Sequence, residues 1–551
     1  MRKYLLGLMF FITALPALCQ WNGSTTVNNI VANSNLNEYA SGIATDGANG
    51  SIIMSEDIEG MGDIFAQKIT SSGTIAWGAT ANPVQICVTP QFKYNSTIIA
   101  DGSGGAFIAW SDYRFNIEAG EIFIQRISSG GIVQWGANGL RVTNNATADD
   151  DEPVLCSDGA GGVIVAWQSD DTTNKNIQSF AQHYNSAGVA QWAANGVQVC
   201  TAAGFRGANG IVSDGSNGAI IFFLDTRNDP HGLDYDYLTN SVNELVNGDV
   251  YAQRLNGGGA RLWNNNGVAV VTASGTQAGI GKALTDGNGG AIFVFDDGRN
   301  DDINFTNNDI FAQRVNSSGA TMWAANGVAI TTAAGNQFLN NVISDGSGGI
   351  VAAFKQEDNQ LFTQRITAAG TASWTTNGVA ISMATAQAGD ASMQADGTGN
   401  TIFAYNLIDG INFIRAQKLN TTGVPQWTAD GIIVCNTGYP YNPKITVSDN
   451  GSAIIAWNNS INFGSLDIYA SKVLSNGTLA GAAVTDYITA ANGNWDNPAT
   501  WVSGVAPPAG ATVIIRHTIS CNVNASCLSL KVEQPGGNLT VLTGFNITIT
   551  H

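Results

Sequence analysis

Asp101-Gly102-Ser103-Gly104-Gly105-Ala106-Phe107-Ile108-Ala109-Trp110, followed by Ile122-Phe123-Ile124-Gln125-Arg126-Ile127 and then by Trp135, is the stretch whose reading decides the fold. An Asp-Gly turn joins two short runs rich in Ile, Phe and Trp. Glycine accepts the positive φ that tight hairpin turns require, so the pair reads as a β-hairpin. The third run alternates partly between apolar and polar residues, and Ser-Gly residues then lead to a fourth segment around Trp135. The spacing predicts four strands.

The same phrase recurs outward in both directions. Gln125 precedes Trp135 by ten residues, and the interval holds for Gln67 and Trp77, Gln182 and Trp192, Gln253 and Trp263, Gln313 and Trp323, Gln364 and Trp374, and Gln417 and Trp427. A turn aspartate recurs at Asp46, Asp101, Asp158, Asp214, Asp286, Asp345, Asp396 and Asp449, and a glycine stands four residues before each of the seven tryptophans. Units repeated at this period bury their faces only by stacking on neighbours. Short four-stranded sheets repeated about an axis predict an all-β chain with an eight-bladed β-propeller, seven blades being the alternative.

Closure supplies a check. The last unit keeps Asp449, the strand Asp467-Ile468-Tyr469-Ala470-Ser471-Lys472 and Gly477, but Gly481 stands where a tryptophan is expected. Trp21-Asn22-Gly23 is a stray fourth-strand phrase at the other end, 25 residues before Asp46. It is expected to complete the last blade, so that no terminal blade is left a strand short. The recurring Trp21, Trp77, Trp135, Trp192, Trp263, Trp323, Trp374 and Trp427 read as packing between blades rather than as ligand platforms. The Gln followed by a basic residue reads as a hydrogen-bond or charge feature between blades.

Residues 1–19 form a signal peptide: Arg2 and Lys3, an apolar run from Tyr4 to Ala14, then Ala17-Leu18-Cys19 before Gln20. Cys19 is the lipidation site of the alternative lipoprotein reading, against which bulky Leu18 counts. The propeller is expected over residues 20–481 and a small C-terminal β module over 482–551. No later stretch is apolar enough for a transmembrane segment. A net charge of -19 excludes the basic footprint of a nucleic-acid partner. Cys87, Cys200 and Cys435 share one slot in three repeats and read as small buried hydrophobes, while Cys521 and Cys527 are close enough in sequence to pair.

Chemistry is expected where the repeats differ. The interval from turn Asp to Gln runs from 19 residues (Asp345 to Gln364) to 39 (Asp214 to Gln253), so the joins between second and third strands vary, all on one face. The longest, Asp225 to Gly248, carries the binding candidates His231, Asp234, Tyr235, Asp236 and Tyr237. Asp112 with Arg114, Asp225 with Arg227, and Asp297 with Arg299 spell D-x-R and read as loop staples. Asp297, Asp301, Asp302 and Asp309, beside Asp296, are oxygen ligands of the kind calcium takes, although no D-x-[DN]-x-[DN]-G loop occurs; no other cofactor is expected. No H-E-x-x-H, G-x-S-x-G or Walker loop is present, and no residue is singled out as catalytic.

The phrase Asp-Gly-x-Gly-Gly-Ala-Ile-x-Ala-Trp, then D-x-R, then Asp-Ile-Phe-Ala-Gln-Arg, then Trp-x-x-Asn-Gly-Val resembles propeller-type repeats in large exported proteins of bacteria that use type IX secretion, over residues 21–481. That resemblance implies a secreted or outer-surface protein. The Gly-to-Trp spacing is also similar to the tryptophan-docking repeats of pyrroloquinoline-quinone dehydrogenases, but the adjacent Cys pair of that family is lacking. Asn492 to Trp501 with Gly504-Val505-Ala506-Pro507 resembles a module that opens a β-solenoid in surface proteins of the same bacteria; the sorting domain typical of type IX cargo does not follow it. The resulting expectation is an extracellular binding or scaffold protein that recognises a glycan or a surface protein through the variable loops. The alternatives are a polysaccharide-active enzyme, a glycosidase or lyase using carboxylates of that face, and a purely structural stalk.

Overall fold

The computed structural model describes residues 21–26, 29–34, 37–57, 59–80, 82–145, 147–171, 176–202, 207–228, 248–275, 277, 281–300, 307–382, 387–461, 465–481, 487–502, 506–507, 511–533 and 536–549. The chain divides into two compact units, Met1–Ala480 and Gly481–His551. The first holds eight antiparallel sheets of four strands each, arranged as an eight-bladed propeller. In blade 1 the strands are Glu38–Thr45, Ser51–Asp57, Ile64–Ile69 and Val84–Cys87, in that order across the sheet. The inner strands of blades 2 to 8 are Lys93–Ala100, Ala148–Ser157, Ala208–Ser213, Lys282–Thr285, Gln337–Ser344, Gln387–Ala395 and Tyr441–Val447.

Burial follows from this layering. Second strands pack against a neighbouring blade on each side, and Ala106–Asp112 is buried along its whole length. Inner strands remain half-exposed past their first residue, as in Lys93–Ala100, because they line a channel along the axis. The bulge that breaks their pairing recurs at one level: between Ala40 and Gly42, Tyr94 and Thr97, Asp151 and Val154, and Tyr441 and Lys444. In three blades the bulged residue is a non-glycine in the left-handed region, Asn95 (φ 52), Glu152 (φ 53) and Asn442 (φ 50).

The last blade closes as the sequence predicts. Asn29–Ala32 pairs antiparallel with Leu466–Val473, with Asn29 opposite Ala470 and Ala32 opposite Ile468. One expectation is corrected: the fourth strand does not run through the tryptophan. In blade 2 it is Leu140–Arg141, beginning five residues after Trp135. The tryptophan instead sits in the connection, where its ring is free to leave the sheet and meet the next blade.

That meeting is built the same way around the ring, except that the Trp135 indole N–H makes no hydrogen bond among the described residues. The indole Nε1 of Trp77 in blade 1 donates to the Ser129 carbonyl of blade 2 at 2.9 Å, and Trp21 reaches Ser71 at 2.9 Å across the closing seam. Each ring covers a glycine of the receiving turn: Trp21 covers Gly73, Trp77 covers Gly131, and the series runs on to Trp427 over Gly477. Gln125 works inside its own blade, correcting the expectation of a contact between blades. Its Oε1 accepts from the Trp135 amide at 2.8 Å and its Nε2 donates to the Gly136 carbonyl at 2.7 Å, fixing the connection that carries the ring. The following basic residue does both. Arg126 pairs with Asp101 of its own blade at 2.8 Å and donates to the Ser186 carbonyl of blade 3 at 2.8 Å. Equivalent pairs join Lys68 to Asp46, His183 to Asp158, Arg254 to Asp214, Arg314 to Asp286, Arg365 to Asp345, Lys418 to Asp396 and Lys472 to Asp449.

The second unit is built of parallel rungs. Tyr487–Ile488, Ala511–Ile515, Ala525–Val532 and Ile547–Ile549 form one sheet, and Gly493–Asn494, Thr518–Cys521 and Asn538–Val541 another, the chain visiting them alternately. Trp495 and Trp501 meet edge to face at 5.3 Å at its start, with Trp501 Nε1 donating to the Trp495 carbonyl at 2.8 Å. Cys521 and Cys527 form no disulfide with each other: both thiols are buried, as are those of Cys87, Cys200 and Cys435.

Candidate functional site

The face on which inner strands begin and second strands end carries the joins of variable length. His231, Asp234, Tyr235, Asp236 and Tyr237, all in the longest join, lie outside the described residues. So do Asp301 and Asp302. Asp297 and Asp309 face each other across the second and third strands of blade 5. Asp297 is paired with Arg299, whose guanidinium supplies the positive charge that the calcium reading assigns to an ion. Asp309 accepts from the Asn300 side chain at 2.7 Å. Among the described residues no three His, Cys, Asp or Glu side chains gather into a metal-binding group.

The three D-x-R motifs share one geometry. The first carboxylate accepts the arginine's own backbone N–H at 2.9 Å (Asp112), 2.8 Å (Asp225) and 2.8 Å (Asp297), then pairs with its guanidinium. The guanidinium lies over a third-strand ring, Phe123 at 3.9 Å, Tyr251 at 3.9 Å and Phe311 at 3.8 Å from the centroid. It also donates to the carbonyl of Asn138, Asn266 or Asn326. Charge, ring face and an Nη donor of each guanidinium are thus engaged inside the protein, which makes these motifs braces for the loop.

A cluster that the sequence reading did not single out stands at the channel mouth on blades 2 and 3. Phe92 and Tyr94 stack at 5.8 Å, and Tyr113 meets Tyr94 edge-on at 5.7 Å. Tyr94 is 48% exposed, so about half of this aromatic side chain meets solvent. Asn95, aimed by the bulge, donates to Asp151 Oδ1 at 2.9 Å, and Ser111 donates to the same oxygen. Asp149 Oδ1 accepts from the Tyr113 hydroxyl at 3.2 Å and from the Gly120 amide at 2.7 Å. Burial, then the charges of Asp151 and Asp149, push the Tyr113 phenol well above its usual range. Burial likewise raises Asp149, against the Gly120 amide that opposes it, with Asp151 adding to the rise. The run Ala148-Asp149-Asp150-Asp151-Glu152-Pro153 was visible in the sequence as acidic, but its meeting with Tyr94 and Tyr113 depends on the pairing of strands in adjacent blades.

No protein-family model matches the chain, and no curated protein does. Among solved structures it is similar to a lectin from Burkholderia pseudomallei, at 13% identity over 75% of this chain and 100% of that one, with a TM-score of 0.43. It is similar also to an ulvan polysaccharide lyase, at 9% identity over 83% of this chain and 97% of that one, with a TM-score of 0.38. A third is an α-L-arabinanase from Penicillium chrysogenum, at 10% identity over 83% of this chain and 99% of that one, with a TM-score of 0.33. At these values the likenesses carry no argument. The propeller is established by the chain's own sheets. No described helix is long and apolar enough to cross a membrane.

Proposed function

We propose that this chain is an exported carbohydrate-binding protein of the bacterial surface, taking a sugar at the channel mouth. The observation that carries the reading is the half-exposed Tyr94, held between Phe92 and Tyr113 beside Asp149 and Asp151. An aromatic face packs against the apolar C–H face of a pyranose, and fixed carboxylate and amide groups accept and donate to its hydroxyls. The loop with His231, Asp234, Tyr235, Asp236 and Tyr237 leaves the same face and is assigned a share in recognition. Export and surface location follow the signal peptide and the resemblance to type IX cargo.

The rival reading is a glycosidase or lyase using these carboxylates, and its weaker form is the one that takes Tyr113 as base. A tyrosine serving as catalytic base needs its phenol pKa brought down toward neutrality, and Tyr113 is shifted the other way. The test is an oligosaccharide array probed with the full chain, the Tyr94→Ala variant, and a variant whose residues 229–247 are replaced by a short turn, with mass spectrometry of each oligosaccharide after incubation. Binding that falls at least about tenfold in Tyr94→Ala at unchanged melting temperature is expected. Cleaved products would instead establish the enzyme, and an array with no bound sugar would remove the proposal.

A further inference from the structure

Lys282 and Lys444 occupy equivalent places on the inner strands of two blades that are not neighbours. Lys282, in blade 5, stands opposite Val294, and Lys444, in blade 8, opposite Ala456; each partner is the fourth residue of its second strand. The same level is held in the other blades by Gly42, Thr97, Val154, Gly210, Asn341 and Ser392. None of these is acidic. Both lysines stand at one level of inner strands that line the channel, and because blades 6 and 7 separate them around the ring, the repulsion of Lys444 by Lys282 acts across the axis. Burial lowers the pKa of each; for Lys444 the attraction of Asp390 opposes the fall and repulsion from Lys282 adds to it.

Neither lysine has an ion-pair partner among the described residues, whereas Lys93, also on an inner strand, has Asp63 at 2.6 Å. Lys444 donates to Asn442 Oδ1 at 2.8 Å, a neutral acceptor. Two ammonium groups confined at one level of a partly buried channel repel each other, and the one carboxylate acting on Lys444, that of Asp390, leaves an excess of positive charge there, in a chain whose net charge is -19. An anion entering from the mouth relieves both defects.

We propose that this level of the channel binds an oxyanion, a carboxylate or a sulfate group, between Lys282 and Lys444, so that the saccharide taken at the mouth is an acidic one. The carrier of the anion rests on the carbohydrate reading above; the anion site does not. The test uses the full chain and the Lys282→Met/Lys444→Met variant, in which removal of the confined charges is expected to leave the melting temperature equal or higher. Inorganic sulfate, uronate oligosaccharides, sulfated oligosaccharides and neutral oligosaccharides are titrated by calorimetry and by thermal shift. Sulfate is expected to raise the melting temperature of the natural chain and not of the variant. Acidic oligosaccharides are expected to lose at least about tenfold in affinity per lysine, since hydrogen bonds to charged groups are of that strength. The Lys444→Arg variant, which keeps the charge, should retain most of the binding. A sulfate response without any saccharide binding would keep the anion site and remove the carbohydrate reading. Binding of neutral sugars with no lysine dependence would do the reverse, and a natural chain unmoved by every anion would overturn the inference.

Discussion

The docking of each tryptophan on the next blade's glycine can be tested against backbone strain alone by comparing Gly131→Ala with Gly102→Ala. Both glycines have positive φ, +76° and +73°, and alanine in that region costs about 1–2 kcal/mol at either site. They differ in what the new methyl meets. At Gly102 nothing stands within 4 Å, whereas at Gly131 it would lie 2.7 Å from Trp77 Cγ. Trp77 is only 2% exposed, so the ring cannot retreat without opening the interface between blades 1 and 2. Overpacking of this kind costs about 1–3 kcal/mol. Displacing the indole also weakens its bond to the Ser129 carbonyl, worth about 1 kcal/mol. Gly131→Ala should therefore exceed Gly102→Ala by about 2–3 kcal/mol in urea unfolding followed by tryptophan fluorescence. For a unit of this size, with an unfolding entropy of about 1 kcal/mol per kelvin, the extra fall in melting temperature is about 2–3 °C. The difference should vanish when Trp77 is already leucine. Equal destabilisation by the two alanines in the natural background would show that the ring does not depend on the bare glycine.

Stability should also report the buried carboxylates. Burial pushes Asp296 up to about 7 against an opposing Leu339 amide, Glu38 up to about 7 against hydrogen bonds from Ser34, and Asp150 up to about 6 against Ser169 and Thr143. Raised folded pKa values give stability that is complete below the unfolded values near 4 and is lost as pH rises through 6 to 7. At the acid end burial also favours protonation of Asp396, but Lys418, Asn400 and Thr398 outweigh it and hold the carboxyl low, so that stability is lost as pH falls below about 4. A melting temperature highest between about pH 4 and 6 is expected, with a shallower alkaline decline in Asp296→Asn; a flat profile from pH 5 to 8 would refute it. Deleting residues 21–34 should leave blade 8 with three strands and expose Leu466–Val473 to exchange in hydrogen–deuterium mass spectrometry, while protection of that strand in the deleted chain would contradict the closure. Burial raises the Cys87 thiol to about 12 despite the nearby Arg114, so Cys87 should not react with iodoacetamide at pH 8 until the propeller unfolds, as read by peptide mapping.

Blade number and closure were legible in the sequence because each rests on a local phrase repeated at a fixed interval. Asp101, Gly105, Gln125 and Trp135 sit in one unit, and their contacts either stay within it or reach the same slot of the next. The eighth repeat shows where that logic thins. There Ser448 takes the backbone place of the turn aspartate, its N–H bonding the Ser452 carbonyl, while Asp449 still pairs with Lys472 one residue later. The fourth strand was misplaced because Trp135 is apolar enough to belong to a strand, whereas its ring is satisfied by another blade. The mouth cluster and the lysine level were not legible. Tyr94 and Asp149 are 55 residues apart, Lys282 and Lys444 are 162, and what unites them is the register of inner strands in different blades, which has no signature in composition.

The tryptophan docking is directional, each blade offering a ring forward and a glycine backward, and such a head-to-tail contact says nothing by itself about when to stop. Seven of the eight contacts join blades that are consecutive in the chain, so tethering enforces them at any dilution. The eighth, Trp21 on Gly73, is tethered as closely, and it is the pairing of Asn29–Ala32 with Leu466–Val473 that joins the two ends of the propeller. A second copy can satisfy it as well as the first, which makes ring closure a competition between one molecule and its neighbours. Protein that folds in crowded or concentrated conditions therefore has a built-in route to linked rings, exchanging the N-terminal strand, and dilute refolding is the condition that favours the closed monomer.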